Sequence, residues 1–554
     1  VEIVVAEETG GVRLTVLDDG AAPAASVVPA DALAARVAEL EAASRPRWVW
    51  ADTATIYARL LRAGVRVERC FDLRLCRTIQ RRAVDAPPPS DLWDDVEEPE
   101  DRPDAPPTLF ESLTLPADEV LAERLRQREA VTASREPGRL ATLLAAESAG
   151  ALLAAEMRHD GLPWDRAAHD HLLTEVLGPR PPLGARPPVL EALAEDVRRA
   201  LDAPRLNPDS GQALLRALHS AGISVQTTRK WELEQVDHPV VPPLLEYKKL
   251  SRLHSANGWV WADEWVRPGP PGAGRERFHP DYVPGGVVTG RWATRGGGAL
   301  QLPKQVRGAV VADPGWTLVV ADVAQLEPRV LAAMARDEAM ARAARGGDLY
   351  QGLVDQGVID TRAHAKVAML GALYGATTGA AGDLAPRLLR AFPRATAVVE
   401  GAAMRGEVGG TVRTWLGRTS PAPPPAWKAV QDRQHEGEAT DDDRRRARRL
   451  ARDWGRFTRN FVVQGTAAEW ALCWLADLRA RLRVMGGAGG AGHSPHLVFF
   501  LHDEVIVHTP AVLADDVATA VRESAAGAGR LLFGDFPVDF PLDVSVVDTY
   551  ADAE

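Results

Sequence analysis

Two apolar runs, Phe499–Leu501 and Val505–Val507, flank the triplet His502-Asp503-Glu504. Runs this short and apolar read as strands, and the polar triplet between them reads as the tip of a hairpin. The chain must therefore build a sheet whose buried strands end in carboxylates. Adjacent strand residues point to opposite faces, so only one of Asp503 and Glu504 joins a given cluster unless the turn rotates the other in. A second apolar run, Leu318–Ala321, ends in Asp322. Alone, a strand-end aspartate is more often a turn former, and a charged hairpin tip a solvated turn. Brought together, two such aspartates would bind two Mg²⁺ ions. Mg²⁺ favours carboxylate oxygens and phosphates, and a pair of ions clamps both oxygens of an in-line phosphoryl transfer.

Two further segments carry helical periodicity. Arg362, Lys366, Leu370 and Tyr374 recur every four residues, which places them on one helix face, with Gly375 as a C-cap. Two cations at the start of that face suit a triphosphate, and the apolar and aromatic positions beyond suit a sugar and base. Arg456, Asn460 and Gln464 form a second stripe, able to donate to phosphates, sugars or minor-groove acceptors. A Gly-rich stretch carries Arg291, Arg295 and Lys304, where glycine permits close backbone approach to phosphates.

The formal net charge of −11 does not by itself indicate a nucleic-acid binder. The total says nothing about placement, and the basic run from Arg444 to Arg452 supplies a local counterweight. With 554 residues the chain can bury more than one core. Its three cysteines, Cys70, Cys76 and Cys473, form no CxxC pair, so a disulfide framework or zinc site is not expected. No long apolar run or signal-like start is found, which predicts a cytoplasmic protein without a membrane span. Residues 1–83 carry an α/β pattern, 84–107 a Pro/Asp/Glu-rich linker, and 283–330 strand-like runs. Residues 419–443 read as low complexity, followed by the basic run and then an apolar helix.

Taken in order, these segments resemble the bacterial DNA polymerase I family (family A). DVAQLEPR at 322–329 is similar to its first catalytic motif, RAHAKVAMLGALYG to its nucleotide-gripping helix, and His502-Asp503-Glu504 to its third motif. TGRWATR and RNFVVQGTAAE resemble two DNA-binding segments, and EMRHDGLPWD, RLNPDSGQALLRAL and LLEYKKLSRL resemble the thumb. The resemblance covers about 150 to 550. It implies an α+β multidomain fold: a right-hand polymerase with palm, fingers and thumb behind an N-terminal α/β ribonuclease-H-like exonuclease-type domain. The expected divisions are 1–150 (degenerate exonuclease-like), 151–282 (thumb and start of palm), 283–335 (palm), 336–425 (fingers) and 426–554 (palm).

The resemblance also implies roles. Asp322 and Asp503 would hold two Mg²⁺ ions, with Mn²⁺ as a substitute and Glu504 in support. Arg362 and Lys366 would hold the triphosphate, with Lys366 protonating the leaving pyrophosphate. Gln325, Leu370 and Tyr374 would meet the nucleotide, and Glu327 would block a ribose 2′-hydroxyl. Arg291, Arg456, Asn460, Gln464 and His502 would contact DNA. The implied partners are primer–template DNA and deoxynucleoside triphosphates, for a nucleoid-associated monomer acting in repair or gap filling. Departures stand at Leu370, where the family has an aromatic, and at Val323, Ala324, Pro328 and Tyr350. The exonuclease carboxylates are expected near Glu7, Thr55 and Glu147 or Ser148, a set too incomplete for proofreading. Two other readings stand beside the polymerase: a non-catalytic DNA clamp, and a 3′–5′ exonuclease with a polymerase-like partner domain.

Overall fold

The computed structural model describes residues 1–18, 22–83, 115–182, 184–269, 273–295, 302–375, 379–437, 439–486 and 494–553. The linker expected at 84–107 lies outside them, as do residues 270–272 and residues 296–301 of the Gly-rich stretch.

The described chain forms two compact units. The first comprises residues 1–159, 282–293 and 319–545. It begins with strands β1 (Glu2–Glu8), β2 (Gly11–Leu17) and β3 (Ala24–Val28), helix α1 (Leu33–Ser44), β4 (Arg47–Trp50), α2 (Thr53–Arg62), β5 (Arg69–Asp72), α3 (Leu73–Gln80), α4 (Ala117–Ala133) and α5 (Pro137–Asp160). The sheet order is β3-β2-β1-β4-β5, with β1 antiparallel to β2 and parallel to β4, and β4 parallel to β5. Four consecutive residues of β1, Ile3 to Ala6, are buried, as both faces of a covered parallel strand require. Asp52 and Asp72 end β4 and β5 by capping the next helix, accepting from the Thr55 and Leu75 amides at 3.1 and 2.9 Å. The expected boundary at 150 is not a break, because α5 runs through it unbroken. That helix is long and apolar enough to cross a membrane by composition, but it is mostly buried, as a core helix is.

The second unit comprises residues 160–281, 294–318 and 546–554. Strand β6 (Leu162–Trp164) leads to helices α6 (Arg166–Leu177), α7 (Pro188–Ala200), α8 (Gly211–Ser220), α9 (Lys230–Leu233), α10 (Val241–Asn257) and α11 (Trp259–Trp265). Strands β7 (Val266–Arg267) and β8 (Glu276–Phe278) complete a small sheet in the order β6-β8-β7. Leu201, Leu214, Leu218 and Leu244 form its helical core.

The first unit resumes with β9 (Tyr282–Val283), β10 (Ala293–Thr294), β11 (Trp316–Val323) and helices α12 (Leu326–Ala335), α13 (Glu338–Ala343), α14 (Leu349–Asp355), α15 (Arg362–Tyr374), α16 (Gly379–Ala391), α17 (Pro393–Glu407), α18 (Pro425–Arg433) and α19 (Asp441–Met485). β12 (His496–Leu501), β13 (Glu504–Pro510), α20 (Ala514–Phe533) and β14 (Leu542–Val547) follow, and the second sheet runs β12-β13-β11-β14. One expectation needs correction. The strand-like reading of 283–330 holds chiefly for β11, since Lys304–Ala309 is a 3₁₀ helix that starts just after Pro303, whose φ is already −65°. The basic run and the apolar helix are one helix of 45 residues, α19. No proline interrupts it, and Thr440 and Asp443 form a capping box at its start. Gly455 lets α19 approach α17, since a Cβ there would meet the Ala403 carbonyl at 2.9 Å.

Candidate active site

Leu501 and Glu504 are paired in register, which leaves His502 and Asp503 as the two-residue turn of the β12–β13 hairpin. His502 takes φ 57°, the left-handed conformation that tight hairpin turns demand. The Asp503 carbonyl accepts from the Val323 amide at 3.0 Å. The residue beside Asp322 is thus tied to Asp503 itself, and both aspartates stand at one end of neighbouring strands. Asp322 is exposed, while Asp503 and Glu504 are half-buried. Burial pushes the Asp503 carboxyl up to about 6; nearby Glu504 and Glu327 add to this and Arg291 opposes it.

A cavity of about 210 Å³ opens beside Asp503. Arg291, Gln325, Glu327, His502, Tyr350, Leu370 and Tyr374 are among the residues that line it. Glu327, in the first turn of α12, accepts from the Arg291 guanidinium and from the Tyr374 hydroxyl, the latter at 2.7 Å. Gln464 on α19 is half-buried and acts on the Tyr374 phenol in the lowering direction, against the larger upward push. Burial, with Glu327 adjacent, pushes the Tyr374 phenol well up. Burial, with Arg291 nearby, holds the His502 imidazole below its ordinary range.

Helix α15 starts at Thr361, whose hydroxyl accepts from the His364 amide at 3.2 Å, and ends at Gly375 with φ 71°. Its Leu370 and Tyr374 reach the cavity; Arg362 and Lys366, earlier on the helix, do not line it and are exposed. Arg362 donates to Asp348 at 2.6 Å and lies 5.9 Å over the Tyr350 ring. Lys366 makes no hydrogen bond or ion pair among the described residues. Arg456 is exposed and paired with Asp453, so it is not brought to the cavity. Asn460 is half-buried, and its Oδ1 has no hydrogen-bond partner among the described residues. Gln325 lines the cavity, but its side-chain carbonyl accepts from the Leu349 amide at 3.1 Å, tying α12 to α14.

Three arginines do structural work that their positions in sequence do not announce. Arg329 is fully buried and donates to the carbonyls of Ala324, Ala344 and Asp539 at 2.8, 2.9 and 3.1 Å. Arg459 donates to the carbonyls of Ala372 and Leu373 at 3.0 and 3.2 Å and to Glu400 at 2.8 Å, pinning the end of α15 to α19. The available signal was its offset by one from the Asn460 stripe, which turns it to another helix face. Arg479 chelates Glu156 at 2.8 and 2.7 Å, and Tyr57 donates to the same carboxylate at 2.5 Å. Cavity residues given no role in advance include Tyr350, Trp292 and Phe500.

The N-terminal sheet also carries strand-end carboxylates. Glu7 pairs with Arg59 at 2.7 Å, Glu8 with Arg13, and Asp52 with Arg74 at 2.7 Å. Asp72 accepts from the Thr53 and Leu75 amides and is pushed up to about 6 by burial. Glu147 is buried against Arg418 at 2.6 Å, and the Ser148 hydroxyl accepts from the Asp72 amide. Among the described residues, no three His, Cys, Asp or Glu are grouped to hold a metal ion.

The profile described as DNA polymerase family A matches residues 212–552. The thermostable DNA polymerase I of Thermus filiformis is 28% identical over 335 residues, 56% of this chain and 36% of that protein. DNA polymerase I of Chloroflexus aurantiacus is 28% identical over 366 residues, 61% of this chain and 35% of that protein. The matches thus span little more than a third of those relatives' own length. Among solved structures, the POL domain of Pol1 from M. smegmatis, in complex with DNA primer-template and dNTP, gives a TM-score of 0.66 at 17% identity. The likeness covers 100% of this chain and 95% of that one, and it shows the fold.

Proposed function

This chain belongs to DNA polymerase family A, and from that premise we propose that it is a DNA-directed DNA polymerase. It adds deoxynucleotides to a primer 3′ end opposite a template, in repair or gap filling, without proofreading. One observation carries the reading: the Asp503 turn is bonded to the strand that ends in Asp322, at a cavity also lined by Leu370 and Tyr374.

The donor set fits Mg²⁺. It offers oxygen ligands from two aspartates, and the upward push on Asp503 by burial, Glu504 and Glu327 is the strain that a divalent cation relieves. A closed cage is not needed, because Mg²⁺ is held by one or two carboxylates together with substrate phosphates. Asp322 and Asp503 would hold two Mg²⁺ ions, or Mn²⁺ in their place, which when bound stabilise the attacking and leaving oxygens of an in-line transfer. The remaining work belongs to side chains. Arg362 exchanges Asp348 for the triphosphate, and Lys366 holds the same phosphates and gives a proton from Nζ to the leaving pyrophosphate. Glu327, held by Arg291 and Tyr374, stands where a ribose 2′-hydroxyl would press on it. Leu370 and Tyr374 shape the base pocket, His502 lies by the primer end, and Arg291, Arg456, Asn460 and Gln464 contact primer–template.

The sheet order β3-β2-β1-β4-β5 supports a ribonuclease-H-like origin for the N-terminal part, and the engagement of its carboxylates supports the loss of its chemistry. We further propose a monomer working in the cytoplasm at the nucleoid. The test is incorporation of each deoxynucleotide singly on primer–templates that differ in one template base, with Mg²⁺. Addition of the complementary nucleotide alone is expected. DNA binding without any addition would leave a clamp and remove the polymerase reading.

A further inference from the structure

At the start of the parallel strands of the N-terminal sheet, the register sets Glu2 of β1 beside Arg47 of β4, and Arg47 beside Arg69 of β5. Residues paired this way project from one face, and like charges there repel. Helix α4 covers that face. Its Arg124 chelates Glu2 at 2.8 and 2.5 Å and lies 3.9 Å over the ring of Phe71, two residues beyond Arg69. The carboxylate of the row is therefore already engaged. The side chains of Arg47 and Arg69 each donate to a backbone carbonyl at 3.2 Å, of Cys70 and Arg45, and neither has an ion-pair partner among the described residues. Arg128, one turn beyond Arg124, lines a cleft of about 220 Å³ with Glu2, Leu17, Arg47 and Arg69. Burial, with Arg69 alongside, lowers the Arg47 guanidinium from its ordinary value, as expected of a cation short of counter-charge.

We propose that this cleft is a phosphoryl-anion site gripped by Arg47 and Arg69. Guanidinium forks match phosphate oxygens bidentately. Two guanidiniums side by side, Arg47 half-buried and Arg69 exposed, call for more than one negative charge, which favours a phosphoryl dianion over a carboxylate. The site stands at the opposite end of β1, β4 and β5 from Glu7, Asp52 and Asp72, and shares no residue with the Asp503 cavity. The phosphoryl group is that of a free diphosphate or of a nucleic-acid strand.

Calorimetric titration with inorganic pyrophosphate, in low salt without divalent metal, decides the matter on wild type, Arg69→Gln and Arg69→Lys. Pyrophosphate held by Arg362 and Lys366 is common to all three, so the difference between isotherms reports the cleft. Arg69→Gln is expected to weaken the added site about tenfold or more, while Arg69→Lys keeps part of it. Without ligand, Arg69→Gln raises Tm by relieving the Arg47 repulsion, whereas loss of a purely structural arginine would lower it. Competition by a 5′-phosphorylated single-stranded oligonucleotide identifies a nucleic-acid strand as the source, and failure to compete identifies free diphosphate. Superimposable isotherms for wild type and Arg69→Gln, or a lower ligand-free Tm in the variant, overturn the proposal.

Discussion

The molecule carries strand-end carboxylates in two places and treats them in opposite ways. In the N-terminal sheet, Glu7, Asp52 and Glu147 each face an arginine, and Asp72 accepts two backbone amides. In the second sheet, Asp503 sits in a hairpin turn at the mouth of a cavity, and its nearest charged neighbours include two more carboxylates. Burial raises both Asp72 and Asp503 to about 6, so the shift alone does not separate them. The difference lies in the partners. A carboxylate whose oxygens cap helices or meet guanidiniums is part of the scaffold, while one that opens on a cavity, with Arg291 near but bonded to Glu327 instead, keeps its oxygens available.

The largest effect that would sharpen this contrast is on chemistry. Asp503→Ala should slow primer extension by about 10³-fold or more, the scale of losing a central electrostatic group. Glu7→Gln should leave the rate unchanged, and a matching loss in that variant would break the distinction. Next comes stability. Arg479→Met strands the buried Glu156 carboxylate and should cost about 3–5 kcal/mol in urea unfolding. The double variant Arg479→Met/Glu156→Met should recover most of that loss, and no recovery would show that packing rather than charge is at stake.

A smaller effect concerns sugar choice. Glu327→Ala removes the acceptor shared by Arg291 and Tyr374 and should relax discrimination against ribonucleotides by about tenfold or more. Unchanged discrimination in competition assays would assign Glu327 to holding Tyr374 alone. The smallest is a pH effect. Burial raises the Asp72 carboxyl, so the native state holds its proton more tightly than the unfolded chain does. That contribution is fully present below the ordinary carboxylate value and is lost as pH rises through about 6. Asp72→Asn should flatten that decline, by at most about 1.4 kcal/mol per pH unit, without changing extension. A steeper profile in the variant would reverse the sign of the account.

Local pattern made part of the site readable in advance. The hairpin tip at His502–Asp503 follows from two short apolar runs, and α15 follows from its spacing of four with Gly375 at its end. What stayed hidden depends on residues distant in the chain. Glu327 meets Arg291 and Tyr374 across 36 and 47 positions, which no periodicity encodes. Arg329, Arg459 and Arg479 look like surface charges in sequence, yet each is buried because it satisfies carbonyls or a carboxylate. Gln325 matched a motif, but its carbonyl ties α12 to α14. The full length of α19 was not legible for a related reason: the composition changes from basic to apolar where the backbone ladder simply continues.

The direct test is one gel with a 5′-labelled primer annealed to template, Mg²⁺, and the purified chain, with and without deoxynucleotides. The account predicts elongation when nucleotides are present and no shortening of the primer when they are withheld. Shortening that persists in Asp322→Ala and Asp503→Ala would show that the N-terminal carboxylates still do chemistry, and would contradict it.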